Sequence, residues 1–179
     1  MTAHRPSRSD RAFRRRARAV RLLLLDVDGV LTDGRLHYGP RGEDRKVFHV
    51  RDGLALVGAQ RAGLQVVVLS GRASQAVSRR MADLGIQEVH QDVVNKVEFF
   101  AELLARLGLT AAEVAYMGDD LPDLPLLAAA GLALAPADAA PEVRSVAHWV
   151  ARRAGGAGAV REAVEAILRA RAAWPPPGV

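Results

Sequence analysis

Two aspartates separated by a single residue lie at the end of an apolar run near the start of the chain. Asp26 and Asp28 follow four leucines, a run that is typical of a buried parallel strand. If the strand continues, the two carboxylates point to the same side and can face one pocket. Two like charges held together are unfavourable unless a cation or a charged ligand lies between them. The pair therefore indicates a site for a cation, a phosphate group, or both.

A second group of acidic residues follows a later predicted strand. Asp119 and Asp120 stand in a Gly-Asp-Asp sequence, and Asp123 lies one helical turn further on. Parallel strands end at the same edge of a sheet, so these carboxylates can meet the first pair. An edge so rich in carboxylates indicates a hard divalent ion with oxygen ligands. Mg²⁺ suits a few carboxylates together with waters and a phosphate.

A serine and a lysine supply the complementary part of such a site. Ser70 follows the apolar run QVVVL, and Lys96 begins an amphipathic segment. A transferring phosphoryl group needs its negative oxygens neutralised, which a cation together with a hydroxyl or backbone donor achieves. A carboxylate nucleophile, a metal ion, a lysine and a hydroxyl together suit covalent phosphoryl transfer.

Each of these features also has a plain structural interpretation. The paired aspartates can form a strand-end turn, Ser-Gly-Arg an ordinary turn, and Gly-Asp-Asp a helix cap. A lysine at a helix start is commonly solvated, although the helix dipole disfavours a cation there. Because all four occur in this order, each after an element of the right kind, we interpret them together as one catalytic site.

The elements that position these residues alternate between strands and helices. This alternation indicates right-handed βαβ units and a central parallel sheet, which is a three-layer, Rossmann-like α/β fold. A β-hairpin is predicted over Arg35–Val50, around a Gly-Pro-Arg-Gly turn. The predicted strands are Arg21–Val27, Gln65–Leu69, Ile86–His90, Glu113–Met117, Gly131–Ala135 and His148–Val150, and the predicted helices are Gly53–Ala62, Ala73–Leu84, Lys96–Leu107, Pro122–Ala130, Pro141–Val146 and Ala159–Ala172.

The composition suits one globular domain. The chain has 179 residues, of which 50% are hydrophobic and 25% charged. It has no cysteine, which excludes a disulfide framework, a thiolate metal site and a cysteine nucleophile, and which fits a cytoplasmic enzyme. No stretch approaches the ~20 apolar residues of a membrane helix, so no membrane partner is expected.

Positive charge is concentrated at the amino terminus. Residues 1–21 carry eight arginines and one aspartate, a balance of +7, whereas the whole chain carries +5. The remainder is slightly negative, which argues against a nucleic-acid-binding body. We predict a disordered basic extension over residues 1–20, with weak binding to RNA or anionic lipid as the alternative. The catalytic domain is expected over 21–172, followed by a Pro-rich tail over 173–179.

The set of motifs resembles the haloacid dehalogenase (HAD) superfamily of phosphatases. In that superfamily an apolar strand leads to DxD, and a Ser or Thr, a lysine and an acidic pair follow at later positions. Within it, the chain is similar to the family of 3-deoxy-D-manno-octulosonate 8-phosphate (KDO 8-phosphate) phosphatases, from about Leu22 to Arg171. The motifs that carry the similarity are DVDGVLTDGRLHY (Asp26–Tyr38), FHVRDG (Phe48–Gly53), VVVLSGR (Val66–Arg72), NK (Asn95 and Lys96), YMGDDLPDLP (Tyr116–Pro125) and RAGGAGAVRE (Arg153–Glu162).

The resemblance implies a Mg²⁺-dependent phosphomonoesterase that converts KDO 8-phosphate to KDO and phosphate. It implies that Asp26 is the nucleophile that becomes an aspartyl-phosphate. Asp28 would act as general acid and then as general base, with its backbone carbonyl on the metal ion. Asp119 would be the carboxylate ligand of Mg²⁺ together with Asp26.

Supporting roles are implied for five further residues. The phosphoryl group would be bound by Ser70, Gly71 and Lys96. Asp120 would hold metal-bound waters or Lys96 from outside the ligand set. Asp123 is expected to be structural or to support the metal site in the same way.

The resemblance also bears on substrate access. The intervals between the motifs hold βα units and the hairpin, which leaves no room for a separate cap domain. The resemblance implies a homotetramer, in which the hairpin around Tyr38–Lys46 covers a neighbouring site. Two interpretations remain open for Arg153–Arg161, a segment that closes on the substrate and a flexible loop. Arg51, Arg72 and Arg161 are candidates for binding a substrate carboxylate, and each could equally form a surface salt bridge.

Two other functions are compatible with the same motifs. The substrate could be a nine-carbon keto-sugar acid 9-phosphate, or the enzyme could act on many sugar phosphates, because the aspartate motifs do not select the sugar. The chain could also be a non-catalytic assembly module that keeps the fold. Loss of a motif aspartate or of the lysine would have favoured the non-catalytic module, and all of these residues are present.

Overall fold

A computed structural model describes residues 8–40 and 42–178 of the chain and confirms the α/β class. A six-stranded parallel sheet lies at its centre, and a separate two-stranded hairpin extends from it. In chain order the elements are α1 (Arg8–Ala19), β1 (Leu22–Leu25), β2 (His37–Gly39), β3 (Gly42–Arg45), α2 (Val50–Arg61), β4 (Gln65–Leu69), α3 (Gln75–Asp83), β5 (Glu88–His90), α4 (Lys96–Leu107), β6 (Val114–Met117), α5 (Leu124–Ala129), β7 (Leu132–Ala135), α6 (Pro141–Val146), β8 (Trp149–Val150) and α7 (Ala159–Ala170).

The sheet places β1 at its centre, in the order β5-β4-β1-β6-β7-β8. β1 pairs in parallel with β4 on one side and β6 on the other, and Leu25 is in register with both Val68 and Met117. The three strands therefore end at nearly the same level. The residues that follow them, which include both acidic motifs and the serine, are brought to one edge by this register.

Helices cover both faces of the sheet because its strands are apolar on both sides. All four leucines of β1 are fully buried, as expected for an interior parallel strand. Leu23 and Leu25 join the core formed with α1, α2, α3 and α7. Leu22 and Leu24 join the core on the other face, with α4, α5 and α6. No cap domain is present in the described part of the chain.

The amino-terminal segment differs from the predicted disordered extension over residues 1–20. Residues 8–19 form α1, which packs against α7. The reason is a narrow apolar stripe: Phe13 lies 6.0 Å from the ring of Trp149, and Ala17 and Val20 are fully buried. Residues 1–7, 41 and 179 lie outside the described part.

Two element boundaries differ from the prediction for local reasons. α2 begins three residues early because His49 caps it, with its ring nitrogen accepting a hydrogen bond from the Arg51 N–H. The predicted helix Pro122–Ala130 is divided into a 3₁₀ turn over Leu121–Asp123 and the helix α5. Among the described helices, none has the length and apolar character needed to cross a bilayer.

Candidate active site

A pocket of about 320 Å³ opens at the carboxyl-terminal ends of β1, β4 and β6. It brings together every residue predicted to be catalytic, to bind phosphate or to support the metal site, and it includes one of the three candidate arginines. Its lining consists of Asp26, Asp28, Gly34, Ser70, Gly71, Arg72, Lys96, Asp119, Asp120, Pro122 and Asp123. The strand register that aligns β1 with its neighbours accounts for this convergence.

Asp26 lies at the bottom of the pocket. It is 9% exposed, and its backbone N–H donates to the carbonyl of Met117, so the end of β6 holds it in place. The Lys96 ammonium lies 3.2 Å from its carboxylate. Burial raises the pKa of Asp26 to about 6, although the neighbouring lysine lowers it in part. The charge on this carboxylate is thus only partly compensated by the residues around it.

Asp123 is the residue that fixes the lysine. Its buried carboxylate accepts hydrogen bonds from the Lys96 ammonium at 2.7 Å, from the Tyr116 hydroxyl at 2.6 Å and from the Asp119 N–H at 2.9 Å. Burial lowers the pKa of Lys96, but Asp26 and Asp123 outweigh this, so its net pKa is raised above the ordinary value. The amine is therefore held as a cation that points into the pocket.

Asp120 and Lys96, both in the described part of the chain, do not form the contact that was expected as one of two roles for Asp120. Asp120 is exposed at the pocket rim, and its carboxylate accepts a hydrogen bond from the N–H of Leu121, which caps the short 3₁₀ turn. The physical reason is that the turn points Asp120 outward while Asp123 returns beneath it. Tyr116, which also contacts Asp123, was missed by sequence reasoning because a tyrosine inside an apolar strand is ordinarily core.

Three carboxylates lie close enough to hold one ion. Oxygens of Asp26, Asp119 and Asp123 are all within 4.8 Å of one another. Asp123 already accepts four hydrogen bonds, so Asp26 and Asp119 have the free capacity for a metal. Burial, followed by the nearby Asp26 carboxylate, raises the pKa of Asp119 to about 8. A buried and a half-buried carboxylate, both with raised pKa values, offer oxygen donors that suit a hard divalent cation such as Mg²⁺.

Asp28 faces the same pocket and is paired with a lysine from the hairpin. The Lys46 ammonium lies 2.5 Å from the Asp28 carboxylate, and the lysine side chain is only 1% exposed. The Thr32 hydroxyl lies 3.5 Å from the same carboxylate oxygen. Lys46 follows β3, so the hairpin reaches over the site of its own chain. Sequence reasoning missed it because one lysine in a charged hairpin carries no local signal.

Glycines allow the loops around the pocket to pack closely. Gly29 has φ +81°, and a Cβ there would lie 1.9 Å from an Asp119 carboxylate oxygen. A Cβ on Gly155 would lie 1.7 Å from the carbonyl oxygen of Gly29. The N–H of Gly156 also donates to the carbonyl of Val30 at 3.0 Å. The glycine-rich turn is therefore packed on the loop that follows β1.

Ser70 and the two residues after it form the opposite wall. The serine is 3% exposed, and its hydroxyl accepts a hydrogen bond from the Arg72 N–H at 3.1 Å. Gly71 has no side chain, so the pocket is not obstructed beside its backbone. The Arg72 guanidinium donates to the Tyr38 hydroxyl at 2.6 Å, which links this wall to the hairpin.

The other two candidate arginines are not in this pocket. Arg51 and Arg161 line a separate cavity of about 800 Å³ near the start of α7. The Arg161 guanidinium stacks 4.5 Å from the centre of the Trp174 ring and lies 3.6 Å from Glu165. The structure thus separates both arginines from the pocket aspartates Asp26, Asp28 and Asp119 of the same chain, because α2 and α7 pack side by side away from the pocket.

A buried carboxylate connects α2 to the glycine-rich turn. Asp52 is 1% exposed and accepts hydrogen bonds from the Gly158 N–H at 3.2 Å and the Arg161 N–H at 2.6 Å. Burial raises its pKa, while these two N–H groups lower it in part. The carboxylate satisfies the otherwise unpaired first turn of α7 and so fixes the position of the turn before it.

We expect Asp52→Asn to destabilise the fold by about 2 kcal/mol, because the amide nitrogen would face a backbone N–H that needs an acceptor. Urea unfolding followed by circular dichroism measures this. Asp138→Asn is the matched control, since the exposed Asp138 accepts a hydrogen bond from Gly155 in the same turn at 2.9 Å. A common unfolding midpoint for the two variants would contradict the assigned role of Asp52.

The comparison with known families agrees with this geometry. A model of haloacid dehalogenase-like hydrolases matches residues 86–163. The chain is 44% identical over 156 residues to the 3-deoxy-D-manno-octulosonate 8-phosphate phosphatase of Escherichia coli (strain K12), covering 87% of this chain and 83% of that protein. It is 45% identical to the protein of that name from Haemophilus influenzae, covering 85% of this chain and 84% of the other.

Solved structures show the same similarity. The 3-deoxy-D-manno-octulosonate 8-phosphate phosphatase of Moraxella catarrhalis, in complex with magnesium ion, phosphate ion and KDO, has a TM-score of 0.87 to this chain. The two are 36% identical, and the match covers 89% of this chain and 92% of that chain. Since nearly the full length of both chains is matched, the similarity extends over the whole fold.

Proposed function

The chain belongs to the haloacid dehalogenase-like hydrolases, within the family of 3-deoxy-D-manno-octulosonate 8-phosphate phosphatases, and on that premise we propose that it hydrolyses KDO 8-phosphate to KDO and inorganic phosphate. It is a phosphomonoesterase with Mg²⁺ as its metal ion. The observation that supports the assignment best is the single pocket in which Asp26, Asp28, Ser70, Lys96 and Asp119 meet.

The first half of the reaction transfers the phosphoryl group to the protein. A carboxylate oxygen of Asp26 attacks phosphorus, and the bond from phosphorus to the sugar oxygen breaks. Asp28 donates a proton to that departing oxygen, which leaves as the alcohol of the sugar acid. Lys46 and Thr32 hold the Asp28 side chain in position for this transfer.

The second half returns the protein to its starting state. Asp28 takes a proton from water, the water oxygen attacks the aspartyl-phosphate, and inorganic phosphate leaves with Asp26 restored. Ser70, Gly71 and Lys96 bind the phosphoryl oxygens through a hydroxyl, a backbone N–H and an ammonium. Asp26, Asp119 and the Asp28 carbonyl would hold Mg²⁺, which when bound would supply positive charge to offset that of the phosphoryl oxygens.

The substrate preference is tested with a panel of sugar phosphates. Phosphate release from KDO 8-phosphate should exceed release from a nine-carbon keto-sugar acid 9-phosphate by about tenfold or more in kcat/KM, because a pocket shaped for one chain length disfavours an added carbon centre. Glucose 6-phosphate, which has no carboxylate, serves as the control. Equal rates on all three would favour the broad sugar phosphatase over the proposed substrate.

The active form is a homotetramer in which the hairpin surface is covered by other copies. Large apolar side chains are exposed along the hairpin and the first turns of α2, and Leu54 among them borders the cavity that contains Arg51. A second copy on this surface would bury it and bring that arginine cavity next to a neighbouring pocket. Sedimentation velocity measures the assembly directly. The exposed residues are Leu36, Tyr38, Val47, Val50 and Leu54.

A further inference from the structure

The helix α1 presents a row of four arginines, three of which have no partner in the described part of the chain. The fourth, Arg18, donates a hydrogen bond to the carbonyl of Ala170 at 3.0 Å. Arg11, Arg14, Arg15 and Arg18 border a shallow groove of about 570 Å³ on its exposed side. Of these, Arg11, Arg14 and Arg15 form no hydrogen bond or ion pair with any described residue. A spacing of three and four residues keeps the row on one side of the helix.

The opposite side of α1 is attached to the body of the protein. Phe13 packs on Trp149 and Ala17 is fully buried. The Arg16 guanidinium donates to the carbonyl of Gly131 at 2.7 Å. The arginine row is therefore held on a fixed helix, and no large apolar side chain of α1 is left to enter a bilayer.

Acidic side chains on the elements beside α1 are already paired elsewhere. On α7, Glu162 lies 2.8 Å from Arg152, and Glu165 lies 2.6 Å from Arg169. Glu113, which precedes β6, lies 3.1 Å from an arginine outside α1. The positive potential of the row is thus uncompensated by its described neighbours.

We propose that this arginine row binds the phosphodiester backbone of a nucleic acid without regard to base sequence. Guanidinium groups bind phosphate oxygens bidentately, and a row of them along a helix can follow consecutive phosphates. Because the rest of the chain carries a slightly negative net charge, phosphates are attracted to α1 and not to the body of the protein. An anionic membrane is the less suitable partner because the apolar side of α1 is already packed against the core.

Binding at α1 leaves the catalytic pocket accessible. The last turn of α1 lies at the amino-terminal edge of the sheet, where Arg16 contacts Gly131 just before β7. The pocket lies at the carboxyl-terminal edge. Phosphatase activity should therefore be the same with and without bound nucleic acid.

Fluorescence anisotropy of a labelled single-stranded 20-nucleotide poly(U) RNA tests the proposal with the full-length protein. Arg11, Arg14 and Arg15 are replaced together by Gln, which keeps helix propensity. The control replaces Arg79, Arg106 and Arg144 by Gln, which removes the same charge from α3, α4 and α6. Circular dichroism and the thermal midpoint confirm that both variants remain folded.

The α1 variant should bind RNA about tenfold or more weakly than the unmodified protein, and the control within about twofold. The slope of log Kd against log salt should decrease by about 2, since each lost phosphate contact contributes ~0.7 for a single strand. Equal weakening in both variants would overturn the proposal, because only net charge would then matter. Retention on vesicles of 30% phosphatidylglycerol without RNA binding would overturn it in favour of a membrane surface.

Discussion

Replacing Asp26 with asparagine is expected to lower phosphate release from KDO 8-phosphate by about 10⁴-fold or more while the protein stays folded. An amide does not attack phosphorus, so no aspartyl-phosphate forms. The fold should tolerate the change, because burial raises the pKa of Asp26 to about 6 and a neutral group of the same shape suits the site. Phosphate release measures the rate, and circular dichroism measures the fold.

Asp120→Asn is the control for the loss at Asp26. Asp120 lies at the rim of the same pocket, but its carboxylate only caps a 3₁₀ turn, and asparagine caps equally well. Its activity should stay within about tenfold of the unmodified enzyme. Acid-quenched mass spectra should show phosphorylated protein in this control and none in Asp26→Asn. Near-normal turnover by the Asp26 variant would refute the covalent route.

Removal of divalent metal with EDTA is expected to abolish turnover, and Mg²⁺ in excess should restore it. Without the cation, the carboxylates of Asp26 and Asp119 would meet the substrate phosphate, and Lys96, 3.2 Å from Asp26, would neutralise only part of that negative charge. The assay is phosphate release after dialysis against EDTA and again after Mg²⁺ addition. Full activity in chelator would contradict the metal site.

The same site predicts how metal-free stability depends on pH. Asp26 and Asp119 have folded pKa values of about 6 and about 8, above their ordinary value of 3.8. Between the ordinary pKa of 3.8 and each folded pKa, the folded state binds more protons than the unfolded state. The stability that the two protonated carboxyls contribute is therefore lost as the pH rises through the folded pKa values. In EDTA, Tm should be lower at pH 8 than at pH 5, and Mg²⁺ should raise it more at pH 8.

Asp119→Asn separates this effect from other titrating groups. It removes the carboxylate with the larger shift, so both the pH dependence of Tm in EDTA and the Mg²⁺-induced rise should shrink. An Mg²⁺ effect of the same size in the variant and in the unmodified protein would place the metal elsewhere.

Most strands and helices are predictable because their side-chain periods are local. The amphipathic spacing of Lys96–Leu107 predicts α4 with the bounds that the structure has, and the run QVVVL predicts β4 in full. Where prediction deviates, a side chain acts over a few residues: His49 starts α2 early, and Asp123 divides the helix predicted over Pro122–Ala130. Those contacts depend on rotamers that hydrophobic patterning does not encode.

The sequence by itself determined the chemistry: two acidic motifs, a serine and a lysine, each placed after an element that ends at one edge of a parallel sheet. Only the tertiary structure decided which partners they have. It pairs Asp28 with Lys46, assigns Lys96 to Asp123, anchors α7 on Asp52, and attaches α1 to the body. Motif residues follow from local spacing, whereas these partners are far apart in the chain. Their meeting depends on strand register and helix packing, which the whole core determines together.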